Sequence, residues 1–488
     1  MKRIGKFWGL VILAAATGLT GCSPKPPTAF TALKNAETAR QLTQFIADKE
    51  AQARAATNLP PAEMTAFFQA ARRGNWPAVS NTFFAMSRLN QSGDPNAPQG
   101  KLGKAVVSAF HALRNKLGLP TPPPSYPVGF RGPAWEAAKE VYGVWEGFAT
   151  GGEPYATAFG RDIIQSIPAG SIYFGGTDPG RFLVTALSKS HAAGDPFFIL
   201  TQNALADGSY LDYLRGMFGK RIYIPSPEDS QQCFEDYTKD ASERAAQNKL
   251  KPGEDVQTTA GRVQVSGQVA VMQINALLAK IICDKNPARE FFIEESFPLD
   301  WMYPHLEPHG LIFKLNRQPL ETLSAEAVQK DHDYWTAYVR PMIGDWLKPE
   351  TSVAEVAAFA TKTFGQHDFS GFKGDPEFIT NAYSHKMFSK LRSSIAGLYA
   401  WRVDHGTVGS EKERLASEAD FAFRQAWALC PYSPEAVFRY VNFLLAQNRS
   451  ADALLIAQTA ADMPAMKGDA GTQMRSLVEQ LKQFQRLK

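Results

Sequence analysis

The sequence predicts an α/β central domain with a mixed, mostly parallel sheet, flanked on both sides by all-α helical-hairpin regions. Two observations lead there. Between residues 134 and 320, short aromatic and β-branched runs alternate with segments whose apolar positions recur at helical spacing, the pattern of strands connected by helices. Before and after that stretch the helical period continues without strand-like runs, and in the last hundred residues it acquires a long-range recurrence.

The first 21 residues form a leader. Lys2, Arg3 and Lys6 precede an apolar run from Phe7 to Leu19, and Thr20, Gly21 and Cys22 follow. A basic start, a short apolar stretch and small residues make a secretory signal, and the run is shorter than the ~20 residues a spanning helix needs. Thr20 and Gly21 ahead of Cys22 resemble the lipobox of bacterial lipoproteins. The resemblance implies cleavage before Cys22 and acylation of its thiol, which would tie the chain to a membrane through lipid. Residues 22–30, with Pro24, Pro26 and Pro27, read as an extended tether. Ser23 after the cysteine resembles an outer-membrane sorting signal, which implies the periplasmic face of the outer membrane of a Gram-negative bacterium.

Composition bounds the rest. The formal net charge is +4, of which Lys2, Arg3 and Lys6 carry three, leaving +1 for the remainder. So even a balance gives no electrostatic reason to expect nucleic acid as a partner. Hydrophobic residues at 44% and charged residues at 20% fit a globular body of two to four domains. Cys233, Cys283 and Cys430 remain after Cys22. An oxidising compartment permits one bridge, Cys233 to Cys283, or three buried apolar thiols.

Residues 31–120 read as an N-terminal helical region. Residues 32–55 are rich in Ala, Glu and Gln; a second helix follows Pro60 and Pro61, and Gly74, Asn75, Trp76 and Pro77 make the turn of a hairpin. Residues 94–100 are a polar loop, and five prolines between 121 and 133 mark a linker. In the central domain, 134–320, strands are expected at 171–174, 196–200, 221–224, 291–293 and 311–315. Helices are expected at 182–188, 211–218, 230–248 and 268–282, and a final hairpin at Gly310 allows an antiparallel edge.

The C-terminal region, 325–488, is helical. Ala419 and Ala426 recur as Ala453 and Ala460 at an interval of 34, with Pro431 and Pro464 one short of it. That interval resembles the tetratricopeptide repeat. Ser433 is the expected N-cap and Pro434 the first helical residue of one good unit, 434–464. Val441 departs from the usual glycine, and a degenerate unit, 389–431, precedes it, interrupted at 404–410. A helix near 470–486 would cap the stack.

Chemistry is sparse. Gly175, Gly176, Thr177, Asp178, Pro179, Gly180 and Arg181 lie between an expected strand and helix, where α/β proteins bind ligands. The run is neither a Walker loop nor the dinucleotide glycine pattern. Its local alternative is a capped turn, with Asp178 as the cap and Pro179 first in the helix. Asn203 and Asp207, with Gln202, follow the next strand, and Glu294 and Glu295 follow a later one, so parallel strands would gather Thr177, Asp178, Arg181, Asn203, Asp207, Glu294 and Glu295 at one sheet edge. Paired carboxylates there could bind sugar hydroxyls or divide acid and base roles; solvated loop residues are the plainer reading. His305 and His309 are separated by prolines that break a helix face, and Asp331, His332 and Asp333 read as acid ahead of a helix. Neither suffices for metal, and no cofactor is expected. Trp301, Tyr303, Trp335, Tyr338, Trp346 and Trp401 form an aromatic-rich zone suited to a carbohydrate site or to packing.

Residues 167–182, IPAGSIYFGGTDPGRF, and 299–315, LDWMYPHLEPHGLIFKL, resemble the soluble C-terminal part of bacterial protein O-mannosyltransferase-like membrane proteins. The resemblance runs over about residues 160–460. Those enzymes hold their catalytic centre in a multi-pass membrane region that this chain lacks, so no catalytic residue is carried over. It implies a detached extracytoplasmic module that recognises a protein or glycan partner in the cell envelope. An enzyme acting on carbohydrate or envelope polymer through the carboxylate-lined edge is the alternative, and a two-domain small-ligand receptor would need a second sheet.

Overall fold

A computed structural model describes residues 33–56, 62–92, 132–188, 196–251, 253–259, 262–295, 298–406 and 408–486. The expected leader with Cys22, the expected tether, the expected loop 94–100 and the expected linker up to residue 131 lie outside the described residues.

The chain is mostly α-helical, with a small mixed α/β part. N-terminal helices α1 (Ala36–Ala55), α2 (Ala62–Arg72) and α3 (Trp76–Ser92) pack against α4 (Pro133–Gly151), which leads into α5 (Glu153–Ser166). Asn35 caps α1 by accepting the amides of Glu37 and Thr38, each at 3.0 Å. The expected α2–α3 hairpin turns at Gly74, whose φ of 66° suits glycine.

Strands β1 (Ile172–Gly175) and β2 (Phe198–Thr201) flank α6 (Asp178–Leu187); α7 (Gly208–Phe218) and α8 (Pro227–Ala246) follow. A separate two-stranded ribbon, β3 (Asp255–Thr259) with β4 (Arg262–Ser266), precedes α9 (Gln268–Lys285), β5 (Phe291–Glu294), β6 (Leu306–His309) and β7 (Ile312–Leu315). The main sheet has the order β2-β1-β5-β7-β6. β1 pairs parallel with β2 and with β5, whereas β7 pairs antiparallel with β5 and with β6. Parallel and antiparallel pairings are therefore equal in number, which corrects the mostly parallel expectation. β1, β2 and β5 are buried at every position, as strands covered on both faces are. α6 covers β1 and β2 and packs on α4 and α5, while α10 (Ala325–Ile343) and α13 (Ala382–Asp404) cover β6 and β7.

One further expectation needs correction. Residues 221–224 form no strand: Ile222 and Ile224 are buried, but Tyr223 bonds the side chain of Asn286 instead of a neighbouring strand. The β3–β4 ribbon had no expectation at all, because its residues are largely polar.

The C-terminal part continues with α11 (Val353–Ala360), the short α12 (Pro376–Thr380), α13, α14 (Gly409–Leu429), α15 (Pro434–Ala446), α16 (Ser450–Ala461) and α17 (Gly468–Arg486). Neighbours in sequence pack as pairs, α13 with α14, α15 with α16, and α17 on α16. Ser433 takes the expected N-cap position, yet its hydroxyl donates to Glu435 at 3.1 Å and makes no cap bond. One continuous apolar core extends from Leu42 to Leu481 through all three regions. Among the described residues no helix is long and apolar enough to cross a membrane.

Inside this core sits a charge. Arg392 of α13, 0% exposed, donates to Asp331 of α10 at 2.6 Å and to Gln425 of α14 at 2.8 Å, and lies 3.5 Å from Glu418. Tyr399 donates to the same Asp331 oxygen at 2.7 Å, and the guanidinium sits over the Trp335 ring. Burial pushes the Asp331 carboxyl up, and Arg392 pulls it back. Asp331, His332 and Asp333 thus lie within α10, not ahead of a helix, and His332 bonds Glu418. Removing one partner of a buried pair strands the other charge, at about 3–5 kcal/mol. Arg392→Ala should therefore lower the free energy of unfolding by about that much in chemical denaturation. The double variant Arg392→Met/Asp331→Leu should recover most of it.

Candidate functional site

The Gly175–Arg181 run does connect β1 to α6, and its glycines answer a packing demand. A Cβ on Gly180 would collide with the Glu294 carboxylate, and one on Gly176 with that of Glu295. Glu294, the last residue of β5 and 0% exposed, accepts from the Gly176 amide at 3.2 Å, the Thr177 amide at 3.0 Å and the Thr177 hydroxyl at 2.6 Å. Thr177, not Asp178, is the N-cap of α6: its oxygen accepts the Gly180 amide at 3.2 Å, and Asp178 and Pro179 are the first two helical residues. Thr177 wins the position because its hydroxyl can accept from the helix while donating to Glu294.

Glu295, also buried, accepts from Gln202 at 3.3 Å and from Asn203 at 3.2 Å, and the exposed Asn203 donates as well to the Gly176 carbonyl at 3.0 Å. Thr177, Asn203, Glu294 and Glu295 are thus brought together as fasteners of one loop. Asp178 stands on the solvent side of that loop. Arg181 and Asp207 turn elsewhere. The Arg181 guanidinium lies 3.8 Å from Glu136 of α4 and over the Phe182 ring, while Asp207 caps α7 by accepting from Ser209 at 2.9 Å. Burial raises Glu136, with Lys139 and Arg181 opposing, and the charge of Asp207 adds to the rise.

Across from the loop runs α13, with α15 beside it. Lys390 of α13 pairs with Glu435 of α15 at 3.0 Å. Arg439 donates to Ser393 at 3.1 Å, and Ser394 donates to the Glu295 carbonyl at 2.7 Å, tying α13 to the sheet edge. Lys390, Arg439, Tyr303 and Tyr383 are each partly exposed. Burial works against the charge on Lys390, but Glu435, with Asp178 and Glu295 behind it, holds its pKa above the ordinary lysine value. Desolvation lowers Arg439. In α4, Tyr142 donates to Glu146 at 3.2 Å; burial and then Asp178 raise the Glu146 carboxyl. Of these residues only Tyr303 was singled out from sequence, as a member of the aromatic zone; Lys390, Arg439, Tyr383, Tyr142 and Glu146 were not. The one available signal was α13 itself, which carries buried polar side chains on several faces.

The other candidates resolve into structure. His305 bonds the Asn316 carbonyl and His309 the Ser166 carbonyl. Among the described residues no group of His, Cys, Asp or Glu could hold a metal ion. Cys233, Cys283 and Cys430 are free thiols, so the Cys233–Cys283 bridge is not formed. In the aromatic zone Trp335 is fully buried and Tyr303 stacks on Trp401 at 5.6 Å. No family model, no curated protein and no solved structure matches this chain.

Glu294 generates a test. Burial and the neighbouring Glu295 raise its pKa to about 7 from 4.5, against the pull of the Thr177 and Gly176 donors. A raised carboxyl favours the folded state fully below its unfolded pKa and loses that contribution as pH climbs through the folded value. Between pH 4.5 and 8 the loss is on the order of 3 kcal/mol. His385, buried and pushed down to about 3, runs oppositely below pH 6.5. The difference between parent and Glu294→Gln stability curves isolates the carboxyl, and the variant should gain steadily over the parent from pH 5 to 8. A constant difference would mean that Glu294 does not titrate there.

Proposed function

We propose that this chain is a lipid-anchored, extracytoplasmic binding protein of the bacterial cell envelope, which receives a protein or glycan partner in the cleft between the β1–α6 loop and helices α13 and α15. The observation that carries this reading is a set of partly exposed charged and aromatic groups, Lys390, Arg439, Tyr303 and Tyr383, near the fastened loop, the kind of convergent polar groups that fix a ligand. The carboxylates first grouped as a reacting set support binding over catalysis. Glu294 and Glu295 are sealed as loop fasteners, and Arg181 and Asp207 face Glu136 and Ser209.

The finer architecture belongs to the same proposal. We read α13–α14 and α15–α16 as two tetratricopeptide-like hairpins with α17 as their cap. Ala419, Ala426, Ala453 and Ala460 are all at 0% exposure, as small residues at close helix crossings are. Stacked hairpins of this kind build concave surfaces suited to partners. The likeness to the soluble part of O-mannosyltransferase-like proteins points the same way, toward a recognition module working beside a membrane. In this reading acyl-Cys22 supplies the membrane attachment, on the periplasmic face of the outer membrane.

Two experiments test it. Cys22→Ser should release folded protein into the soluble envelope fraction with its circular dichroism spectrum unchanged; a protein that stays with membranes would refute lipid anchoring. A photocrosslinking amino acid at Asn203, in living cells, should give a discrete adduct that Lys390→Glu abolishes, whereas one at the 78% exposed Val408 should give none. Equal labelling at both positions, or an adduct indifferent to Lys390, would remove the cleft from the proposal.

A further inference from the structure

Glu294 closes β5, Glu295 follows it, and both lie under the same loop, yet they are paired differently. Glu295 accepts from Gln202 and Asn203, and the cations Lys390 and Arg439 act on it from α13 and α15. Glu294 meets neutral donors, the amides of Gly176 and Thr177 and the Thr177 hydroxyl. Among the described residues no cation offsets its charge. The ionisable groups that act together with it are Glu295, Tyr173 of β1 and Tyr383 of α13. In the first turn of α6, Arg181 lies toward Glu136, and Asp178 is itself an acid. On β7, Lys314 is taken by Glu290 at 2.7 Å. A carboxylate shut away from water beside a second acid, with no counterion, holds its proton more tightly than one in solvent.

What shuts the water out is the loop. Glu294 is 0% exposed, and its carboxylate fills the space that a side chain at Gly180 would need. The backbone bond from the Gly176 amide to the Glu294 carbonyl, 2.6 Å, continues the β1–β5 pairing, so Gly176 stays with the sheet and the movable part begins at Thr177. Past that point the first turn of α6 is tied down by Thr177 on Glu294 and by the Tyr173 hydroxyl, which donates to the Gly180 carbonyl at 3.0 Å. Protonated Glu294 keeps these bonds without a buried charge, because the amides need only a lone pair and a carboxylic acid can exchange the donor role with a hydroxyl. Ionised Glu294 keeps the same bonds around a charge that nothing offsets. Hydrating that charge requires residues 177–180 to lift.

We infer that the β1–α6 loop is a pH-operated latch, closed from Thr177 to Gly180 over Glu294 while that carboxyl holds its proton and released when it ionises. The sign follows from linkage. The closed loop raises Glu294 to about 7, by burial first and then through Glu295, and the released loop returns it toward its ordinary 4.5. The closed form is therefore favoured fully below 4.5, loses ground as pH climbs toward 7, and changes little above that. Resting on the binding reading above, release also resets what the exposed Asp178 and Asn203 offer a partner, since Asn203 bonds the Gly176 carbonyl and the Glu295 carboxylate at the root of the loop.

Hydrogen–deuterium exchange of the purified full chain, read by mass spectrometry at pH 5, 6, 7 and 8 and corrected for the intrinsic pH dependence of exchange, tests the latch. Opening of the peptide over residues 174–187 should rise about thirtyfold from pH 5 to 7 and only about twofold from 7 to 8. Peptides from α10 and α13 are the reference, and any change caused by His332 or His385, which lie on those helices, registers there. Glu294→Gln should flatten the loop profile. Glu295→Gln, which removes the neighbouring charge and leaves the burial, should shrink the rise without abolishing it. A flat parent profile, an equal rise in the reference peptides, or a rise that survives Glu294→Gln would overturn the latch. Crosslinking yield at Asn203 should change between pH 5.5 and 7.5 in the parent and stay constant in Glu294→Gln; a yield indifferent to pH would refute control of the partner by the latch. Absence of any Asn203 adduct at either pH, with the exchange pattern intact, would remove the binding reading and leave the latch standing.

Discussion

Arg392 lies at zero exposure in the middle of α13, and its charge is tolerable there because two other helices bring it partners. Asp331 comes from α10, Gln425 and Glu418 come from α14, and the Trp335 ring closes over the guanidinium. Trp335 in turn donates to the carbonyl of Gly310, at the turn between β6 and β7. The ion pair thus fixes how the helical part sits on the sheet. An apolar contact of the same size would hold the parts together without specifying an orientation; a buried guanidinium accepts few orientations, because each unsatisfied N–H is costly.

From that fixed point the rest of α13 is held in register. Ser384 bonds the Gly151 carbonyl at the end of α4, His385 bonds Tyr432 at 2.6 Å, and Ser389 bonds the Ala426 carbonyl at 2.7 Å. A helix anchored on so many sides presents Tyr383 and Lys390 to the β1–α6 loop as rigid features, which is what a preorganised binding wall requires. The loop opposite is equally constrained, since four donors from Gly176, Thr177 and Asn203 end on the carboxylates of Glu294 and Glu295.

The layered organisation was legible because periodicity records burial. β1, β2, β5 and β7 appear as short apolar runs, and α6 to α9 as helical intervals between them. Where burial and pairing part company, the reading fails. Ile222 and Ile224 are buried like strand residues, but no strand lies alongside, and β3 and β4 pair with each other without an apolar run to announce them. The loop was legible as a feature and not in its wiring. Thr177 and Asp178 are both good cap residues, and the choice between them rests on Glu294, 117 residues away. Lys390 and Arg439 could not be read as cleft residues at all. In sequence they are polar positions on helices, and only the seating of α13 against the sheet brings them near the loop.

The fit between Gly176, Gly180 and the two carboxylates has a consequence for how this sequence can vary through descent. Each glycine leaves space that a neighbouring carboxylate fills; Glu294 satisfies the backbone amides of Gly176 and Thr177, and Glu295 accepts from the side chains of Gln202 and Asn203. A side chain at either glycine would require Glu294 or Glu295 to shorten, and a shortened acid would leave a void and unpaired amides beneath the loop. The four positions therefore form a single heritable unit. In any lineage that keeps this loop they should be retained together or exchanged together, a covariation readable in related sequences without further structural knowledge.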